Sequence, residues 1–172
     1  MDIPAPPPPC SPRYEFISGT VEATQGFGER VGRLLRAGDV VALTGELGSG
    51  KTTLIQGIAA GLGCQPERVK SPTFVLMREY HGVVPVVHID AYRLDGVQDV
   101  SWLDLDLILG SQQVTLIEWA ERMTSVLPDD HIAIHLSHVS THRRRLYLEP
   151  VTTRAKELVA TLTAAPHADP RD

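Results

Sequence analysis

Apolar and polar positions alternate along this chain with two periods, one typical of helices and one typical of strands. A short apolar run at 39–44 is followed by apolar residues with helical spacing at 52–62, which predicts a buried strand and then a helix. Another helix is predicted at 20–36, with Thr20 as its N-cap. A short helix or turn is expected at about 96–110, and a closing helix at about 154–163.

The remaining pattern predicts strands, some of them paired as hairpins. Six segments alternate or form short apolar runs: 13–17, 73–80, 83–89, 114–119, 131–137 and 145–149. His81-Gly82 is the hairpin signal between two of them, and Pro85 indicates that the second begins irregularly or lies near an edge. We therefore predict an α/β fold with a mixed central sheet and antiparallel additions.

Length and proline distribution predict the domain organisation. A chain of 172 residues with ordinary charged and apolar fractions fits one globular domain. Six of its 13 prolines lie in residues 1–12, so this segment is predicted to be a disordered Pro-rich tail. A single domain at 13–163 and a flexible C-terminal tail at 164–172 complete the prediction.

Charge, cysteine content and the lengths of the apolar runs argue against several classes of protein. A net charge of −5 argues against a broad nucleic-acid-binding face. The two cysteines form no metal or redox motif, and no signal peptide or long apolar run is found. A cytoplasmic protein with no membrane association is the consistent expectation.

Residues 45–52 read Gly-Glu-Leu-Gly-Ser-Gly-Lys-Thr, which matches the G-x-x-x-x-G-K-[ST] phosphate-binding loop. In such a loop backbone N–H groups surround phosphate oxygens, Lys51 can reach the β- and γ-phosphates, and the Thr52 hydroxyl can hold Mg²⁺. A strand before the loop and a helix after it point a helix N-terminus at the anion. The sequence thus predicts a nucleotide site in a P-loop NTPase-like three-layer sandwich.

Hydrolysis of a nucleotide also needs carboxylates beside the phosphates. Two predicted apolar strands end in an acid, Asp90 and Glu118, at the sheet edge where open α/β folds bind ligands. We predict Lys51, Asp90 and Glu118 as the catalytic residues. The spacing leaves open which acid contacts Mg²⁺ directly and which orients water, and a helix cap or a surface salt bridge is the alternative for each.

Several neighbouring residues have two interpretations. Arg93 fits either charge neutralisation on a phosphoryl group or pairing with a nearby acid. Trp119 is favoured as a packing residue over a nucleotide-stacking one, and His88 as a hydrogen-bonded structural histidine over a base. Ser71-Pro72-Thr73-Phe74 fits a nucleotide-responsive switch and an ordinary turn equally well.

Two basic clusters are assigned to ordinary surfaces. The strand pattern puts His131 and His135 on the opposite face from His138, so no metal site is expected here even with His142 nearby. Arg143-Arg144-Arg145 is favoured as a solvated strand edge over a nucleic-acid patch.

Four segments, in this order and spacing, resemble the TsaE (YjeE) family. They are Gly45–Thr53, Ser71–Phe74, His88–Leu94 and Ile117–Trp119, and the similarity spans about residues 18–150. Members of this family are bacterial ATPases needed for threonylcarbamoyl modification of adenosine 37 in tRNAs that read ANN codons. The resemblance implies a P-loop domain that binds ATP and Mg²⁺, hydrolyses ATP slowly alone and is stimulated by partners.

The resemblance also implies roles for individual residues. Lys51 binds phosphate, Thr52 and Glu118 associate with Mg²⁺, Asp90 is needed for hydrolysis, and residues 71–74 act as a switch. The nucleotide-binding residues are predicted to be Gly45, Gly48, Ser49, Gly50, Lys51, Thr52, Thr53 and Thr24.

The implied partners are TsaB and TsaD, of which TsaD transfers the threonylcarbamoyl group. The ATPase would reset their complex between turnovers, with any contact to tRNA indirect.

A free-standing P-loop small-molecule kinase is the alternative, although no Arg-rich lid lies between the two acid-bearing strands. A non-catalytic nucleotide-sensing module would leave both acids idle. Ala91 and Ala120 depart from the family pattern outside the reactive groups.

Overall fold

A computed structural model of the chain describes residues 14–94 and 104–165. Seven strands form one sheet: β1 Tyr14–Ser18, β2 Val40–Thr44, β3 Met77–His81, β4 Pro85–Asp90, β5 Val114–Glu118, β6 Ile132–His138 and β7 Arg144–Leu148. Their order across the sheet is β1-β7-β6-β2-β5-β4-β3. The central strands β6, β2, β5 and β4 run parallel, and antiparallel strands extend the sheet on both sides. The predicted mixed sheet with antiparallel additions is confirmed.

Helices and short turns cover the two faces of this sheet unequally. The helices are α1 Val21–Gly32, α2 Lys51–Gly61, α3 Leu105–Ile108 and α4 Thr153–Ala164. On one face the sheet packs against α1, α2 and α4, with Phe27, Ile58 and Leu158 buried in the contact. The other face packs against the short α3 and residues 119–127. The result is three layers, as predicted, with one layer thinner than the other.

Helix α1 begins where the sequence predicts and ends earlier. Thr20 is its N-cap and accepts a hydrogen bond from the backbone N–H of Ala23 at 3.0 Å. The predicted end at Arg36 is wrong, because α1 stops at Gly32. Beyond it, the N–H groups of Leu34 and Leu35 bond to carbonyls three residues back and form a turn.

Helices α1 and α2 touch through their backbones. A Cβ atom added to Gly57 of α2 would lie 2.1 Å from the Gln25 carbonyl oxygen, and one added to Gly28 of α1 would lie 2.5 Å from the Leu54 carbonyl oxygen. Only glycine permits so close an approach. Because α2 starts at Lys51, this contact fixes the position of the helix that follows the phosphate loop.

Two strands begin or end differently from the prediction because the chain turns beside them. Strand β3 starts at Met77 rather than at residue 73, since the Pro72 carbonyl accepts hydrogen bonds from the N–H groups of Val75 and Leu76 at 2.8 and 2.6 Å. Strand β5 ends at Glu118, because Trp119 leaves the extended conformation with φ 57°. The first turn includes part of the predicted switch segment Ser71–Phe74, and the second follows the predicted catalytic residue Glu118.

Some predictions fall outside the described residues. They concern the Pro-rich segment 1–12 with Cys10, Arg13 at the start of the first predicted strand, residues 95–103 and residues 166–172.

Strand β4 begins at Pro85, and α4 agrees with the predicted closing helix to within one residue at each end. Among the helices of the described ranges, none combines the length and apolar character needed to cross a membrane.

Candidate functional site

The phosphate-binding motif forms the connection between β2 and α2. Gly45, Gly48 and Gly50 all have positive φ, which a side chain disfavours. A Cβ atom on Gly45 would also lie 2.3 Å from the carbonyl oxygen of Leu136 on β6. The glycines therefore let the loop turn tightly against the sheet and leave its backbone N–H groups at the start of α2, where a helix favours anions.

Lys51 is a buried cation at the centre of this loop. Its side chain is 4% exposed, and Nζ donates hydrogen bonds to the carbonyl oxygens of Gly45 and Glu46 at 2.6 and 2.9 Å. Nζ also lies 3.8 Å from the centre of the Trp119 ring, a cation–π distance. Burial lowers the pKa of Lys51, and nearby carboxylates oppose that shift. These are Glu118, Glu121, Asp90 and Glu46.

Thr52 and Glu118 meet although 66 residues separate them in the sequence. Glu118 is the last residue of β5 and is 3% exposed. The Thr52 hydroxyl lies 2.9 Å from each oxygen of its carboxylate. Strand β5 neighbours β2 in parallel, so its C-terminal end opens beside the phosphate loop.

Asp90 ends the next parallel strand and pairs in register with Glu118. It is 2% exposed, and its Oδ2 accepts hydrogen bonds from the hydroxyls of Ser71 and Thr73, each at 2.5 Å. Its Oδ1 accepts one from the N–H of Tyr92 at 2.9 Å, which caps the short 3₁₀ turn Ala91–Arg93. Asp90 is therefore a cap as well as a cleft residue, and the Ser71–Phe74 segment binds it directly.

Two aromatic residues lie at the rim of the cleft, and one of them has a strained backbone. Tyr92 lies with its ring centre 5.0 Å from that of Trp119, and both line the cleft. Trp119 is only partly buried, so it packs against the apolar core on the α3 side of the sheet and faces the cleft as well. Trp119 and Leu76 are the non-glycine residues with positive φ in the described chain, a conformation that costs about 1–3 kcal/mol and clusters at functional sites.

Most of the predicted site residues lie in one cleft. Its lining includes Gly48, Gly50, Lys51, Thr52, Thr53, Asp90 and Glu118, together with Ser71 and Thr73. Ser49 is fully buried behind the loop, with its Oγ 3.4 Å from Lys51 Nζ. Tyr92 and Leu47 also line the cleft, and the sequence pattern does not single out either residue. The signals that could have found them are their positions within the segments His88–Leu94 and Gly45–Thr53.

Thr24 and Arg93 have other contacts. Thr24 is buried in α1, where its hydroxyl lies 2.7 Å from Ser18 Oγ and donates to the Thr20 carbonyl oxygen at 3.2 Å. A nucleotide contact by Thr24 stays a prediction. The Arg93 guanidinium lies 4.7 Å from the centre of the Phe74 ring, so it contacts the proposed switch segment.

The histidines and the arginine cluster make ordinary structural contacts. His88 is fully buried and hydrogen-bonded, with Nε2 2.8 Å from Glu118 Oε1, as favoured from the sequence. His135 pairs with Glu149 at 3.2 Å. In residues 14–94 and 104–165, no group of three His, Cys, Asp or Glu side chains could hold a metal ion. Arg145 pairs with Glu15 on the neighbouring strand at 3.2 Å.

The donor set of the cleft fits a nucleoside triphosphate with Mg²⁺. The glycine turn presents N–H groups and a helix N-terminus, which bind phosphate, and Lys51 adds a cation beside them. Thr52 and Glu118 offer hydroxyl and carboxylate oxygens, which are the ligands that Mg²⁺ prefers. Asp90 adds a second carboxylate one strand away.

Comparison with known proteins identifies the family. The family described as "Threonylcarbamoyl adenosine biosynthesis protein TsaE" matches residues 18–146. A tRNA threonylcarbamoyladenosine biosynthesis protein TsaE from Treponema pallidum is 38% identical over 130 residues, which cover 76% of this chain and 96% of the relative. The protein of that name from Streptomyces coelicolor is 45% identical over 114 residues, covering 64% of this chain and 76% of its own.

Structure comparison agrees with the sequence comparison. The crystal structure of Bacillus subtilis YdiB matches with a TM-score of 0.73 and 29% identity, over 88% of this chain and 95% of that one. None of these relatives supports the small-molecule kinase alternative. The family match spans most of the sheet and all of the cleft residues named above, so the chain belongs to the TsaE family.

Proposed function

We propose that this chain binds ATP and Mg²⁺ in the cleft, hydrolyses ATP, and thereby supports formation of N6-threonylcarbamoyladenosine at position 37 of tRNAs reading ANN codons. Its relatives are named for tRNA threonylcarbamoyladenosine biosynthesis. The observation that carries the proposal is the convergence of Lys51, Thr52, Asp90 and Glu118 in one cleft. Phosphate-binding, metal-binding and water-orienting groups are then all within one site. The proposed location of the protein is the cytoplasm.

Each residue has a role that its contacts support. The loop N–H groups and Lys51 bind the phosphates, and Thr52 and Glu118 would hold Mg²⁺, which neutralises charge on the phosphoryl group. Asp90 orients the attacking water, because three hydrogen bonds fix its carboxylate beside Glu118. Proton acceptance or orientation by a positioned carboxylate contributes about 10²- to 10⁴-fold to rate.

The output of hydrolysis is proposed to be a change in a partner complex of TsaB-like and TsaD-like proteins. The support is the link between Asp90 and the segment 71–74. Ser71 and Thr73 bind the Asp90 carboxylate, while the next residue, Phe74, is 84% exposed. A change in the hydrogen bonds of Asp90 on hydrolysis therefore reaches an exposed apolar side chain that a partner can sense. Contact with tRNA is indirect in this proposal, since the net charge is −5.

The test is depletion of the protein in its own cells, followed by quantification of threonylcarbamoyladenosine in digested tRNA. We expect the level to fall, and to recover with the wild-type gene and with the control variant Glu15→Gln, whose carboxylate is exposed and lies far from the loop in β1. Asp90→Asn and Glu118→Gln should not restore it.

Turnover of ATP by the purified proteins completes this test. Asp90→Asn should lower turnover by about 100-fold or more, and addition of TsaB and TsaD homologues should raise turnover of the wild type only. An unchanged nucleoside level after depletion would contradict the pathway, whereas unchanged turnover in both acid variants would contradict the assigned roles.

A further inference from the structure

His88 is a buried polar side chain to which the proposed reaction assigns no role. It lies on β4 between Arg78 of β3 and Leu116 of β5 and has no exposed surface. Its Nε2 lies 2.8 Å from Glu118 Oε1. Its Nδ1 lies 3.4 Å from the hydroxyl of Tyr80, which donates to the Lys70 carbonyl oxygen at 3.2 Å. His88 thus lies between Glu118 and the Tyr80 hydroxyl, which is bound to the backbone just before the Ser71–Phe74 segment.

The two hydrogen-bond partners of the Glu118 carboxylate differ in what they fix. The Thr52 hydroxyl is 2.9 Å from both oxygens, so it does not select one of them. His88 contacts Oε1, which makes the two oxygens unequal and sets the rotation of the carboxylate. With Nε2 donating to Oε1, Oε2 is left to accept a hydrogen bond from Thr52 and to contact Mg²⁺.

The location of His88 suits a fixed reference point. Its backbone is paired on both sides within the sheet, and its side chain is enclosed in the core. Thr52 belongs instead to the first turn of α2, next to the loop that receives the phosphates. A donor from the sheet holds Glu118 in place independently of changes in the loop.

We propose that His88 is a positioning residue that orients the Glu118 carboxylate toward Mg²⁺. This inference rests on the proposed function, since it concerns the acid assigned to the metal. Hydrogen-bond partners of metal ligands are worth about 10- to 100-fold in metal affinity. Loss of the Nε2 donor should therefore weaken the enhancement of ATP binding by Mg²⁺, while the affinity for ATP without metal remains.

A pair of amide substitutions separates the two ring nitrogens. His88→Gln places an amide nitrogen near the position of Nε2, within reach of Glu118. His88→Asn places it near Nδ1, on the side of Tyr80. Isothermal titration calorimetry of ATP, with Mg²⁺ and with EDTA, gives the enhancement for each protein. We expect His88→Gln to keep most of it and His88→Asn to lose about 10- to 100-fold, with equal ATP affinities in EDTA.

Two further variants make the result decisive. His131→Asn is the control, because His131 lies just before β6 and bonds to the Pro128 carbonyl oxygen at 2.8 Å, and it should keep the wild-type enhancement. His88→Leu lacks any donor and suits an apolar site, so it should show the same loss. It replaces His88→Asn in the comparison if that variant fails to fold.

Three outcomes would overturn one or both proposals. Full enhancement by Mg²⁺ in a folded His88→Asn or His88→Leu protein would exclude the positioning role. An equal loss in His88→Gln and His88→Asn would also exclude it, because the donor would then not be what matters. A wild-type protein that binds no ATP, with or without Mg²⁺, would overturn the proposed function itself.

Discussion

Lys51 carries a charge in a place that disfavours charge. Burial lowers its pKa from the ordinary value of 10.5, while ATP phosphates would favour the charged form and raise it again. At a pH between these two pKa values, Lys51 has lost its proton in the free protein and keeps it in the ATP-bound protein. Binding at alkaline pH should therefore take up protons, and the affinity should fall as the pH rises through this range.

Calorimetry in two buffers with different ionisation enthalpies measures this proton uptake directly. Lys156→Met, which removes an exposed lysine of α4, should take up as many protons as the wild type. Binding enthalpies that do not depend on the buffer at alkaline pH would contradict the prediction.

The positions of the candidate site residues were predictable to the extent that they follow local rules. Lys51 and Thr52 belong to a contiguous motif, and Asp90 and Glu118 each end an apolar strand. The contact between His88 and Glu118 depends on the register of β4 against β5, which no local pattern encodes. The hydrogen bonds from Ser71 and Thr73 to Asp90 likewise require the turn at Pro72, which places both hydroxyls over the strand end.

At the scale of elements, the contact between α1 and α2 should be intolerant of any side chain. A Cβ atom at Gly57 would meet the Gln25 carbonyl oxygen at 2.1 Å, and a backbone atom cannot move aside cheaply. Gly57→Ala should destabilise the protein by about 1–3 kcal/mol despite the better helix propensity of alanine. Chemical denaturation measures the change in the free energy of unfolding.

Gly26 in α1 is the matched control for this substitution. A Cβ atom there meets nothing within 4 Å, so Gly26→Ala should be neutral or stabilise the helix by up to about 1 kcal/mol. Equal effects of the two substitutions would show that propensity, and not the helix contact, determines the result.

Element boundaries were predicted well where a cap or a period defines them and poorly where a turn intervenes. Thr20 marks the start of α1, and the alternation in β6 and β7 gives their pairing. The end of α1, the start of β3 and the end of β5 depend on turns. These turns form by backbone hydrogen bonds or by positive φ, as at Leu76 and Trp119. Apolar periodicity carries no signal for either.

At the scale of the whole molecule, one buried ion pair attaches the last helix to the centre of the fold. Arg154 of α4 donates from Nε and a terminal nitrogen to the two Asp39 oxygens, both at 2.8 Å, and also to the Leu34 carbonyl oxygen at 2.6 Å. These bonds to Asp39 raise the pKa of Arg154. Arg154→Met should cost about 3–5 kcal/mol, because it leaves the Asp39 carboxylate buried without its cation.

The exposed pair of Arg36 with Glu157 provides the comparison. Both side chains are more than half exposed, so Arg36→Ala should change the free energy of unfolding by no more than about 1 kcal/mol. Thermal and urea unfolding of both variants would test the contrast, and a small effect of Arg154→Met would show that α4 is held by its apolar contacts alone.

The backbone contact between α1 and α2 has a consequence for how the protein can move. Neither helix can slide or rotate without losing close packing along the pair, so local opening there is costly. Residues 71–76 carry two strongly exposed apolar side chains, Phe74 and Val75, and a turn in place of a strand, so opening there is cheap. The cleft therefore has one rigid wall, at α2, and one that opens more easily, at residues 71–76. If the proposed partner complex responds to the nucleotide, we expect it to bind at the second.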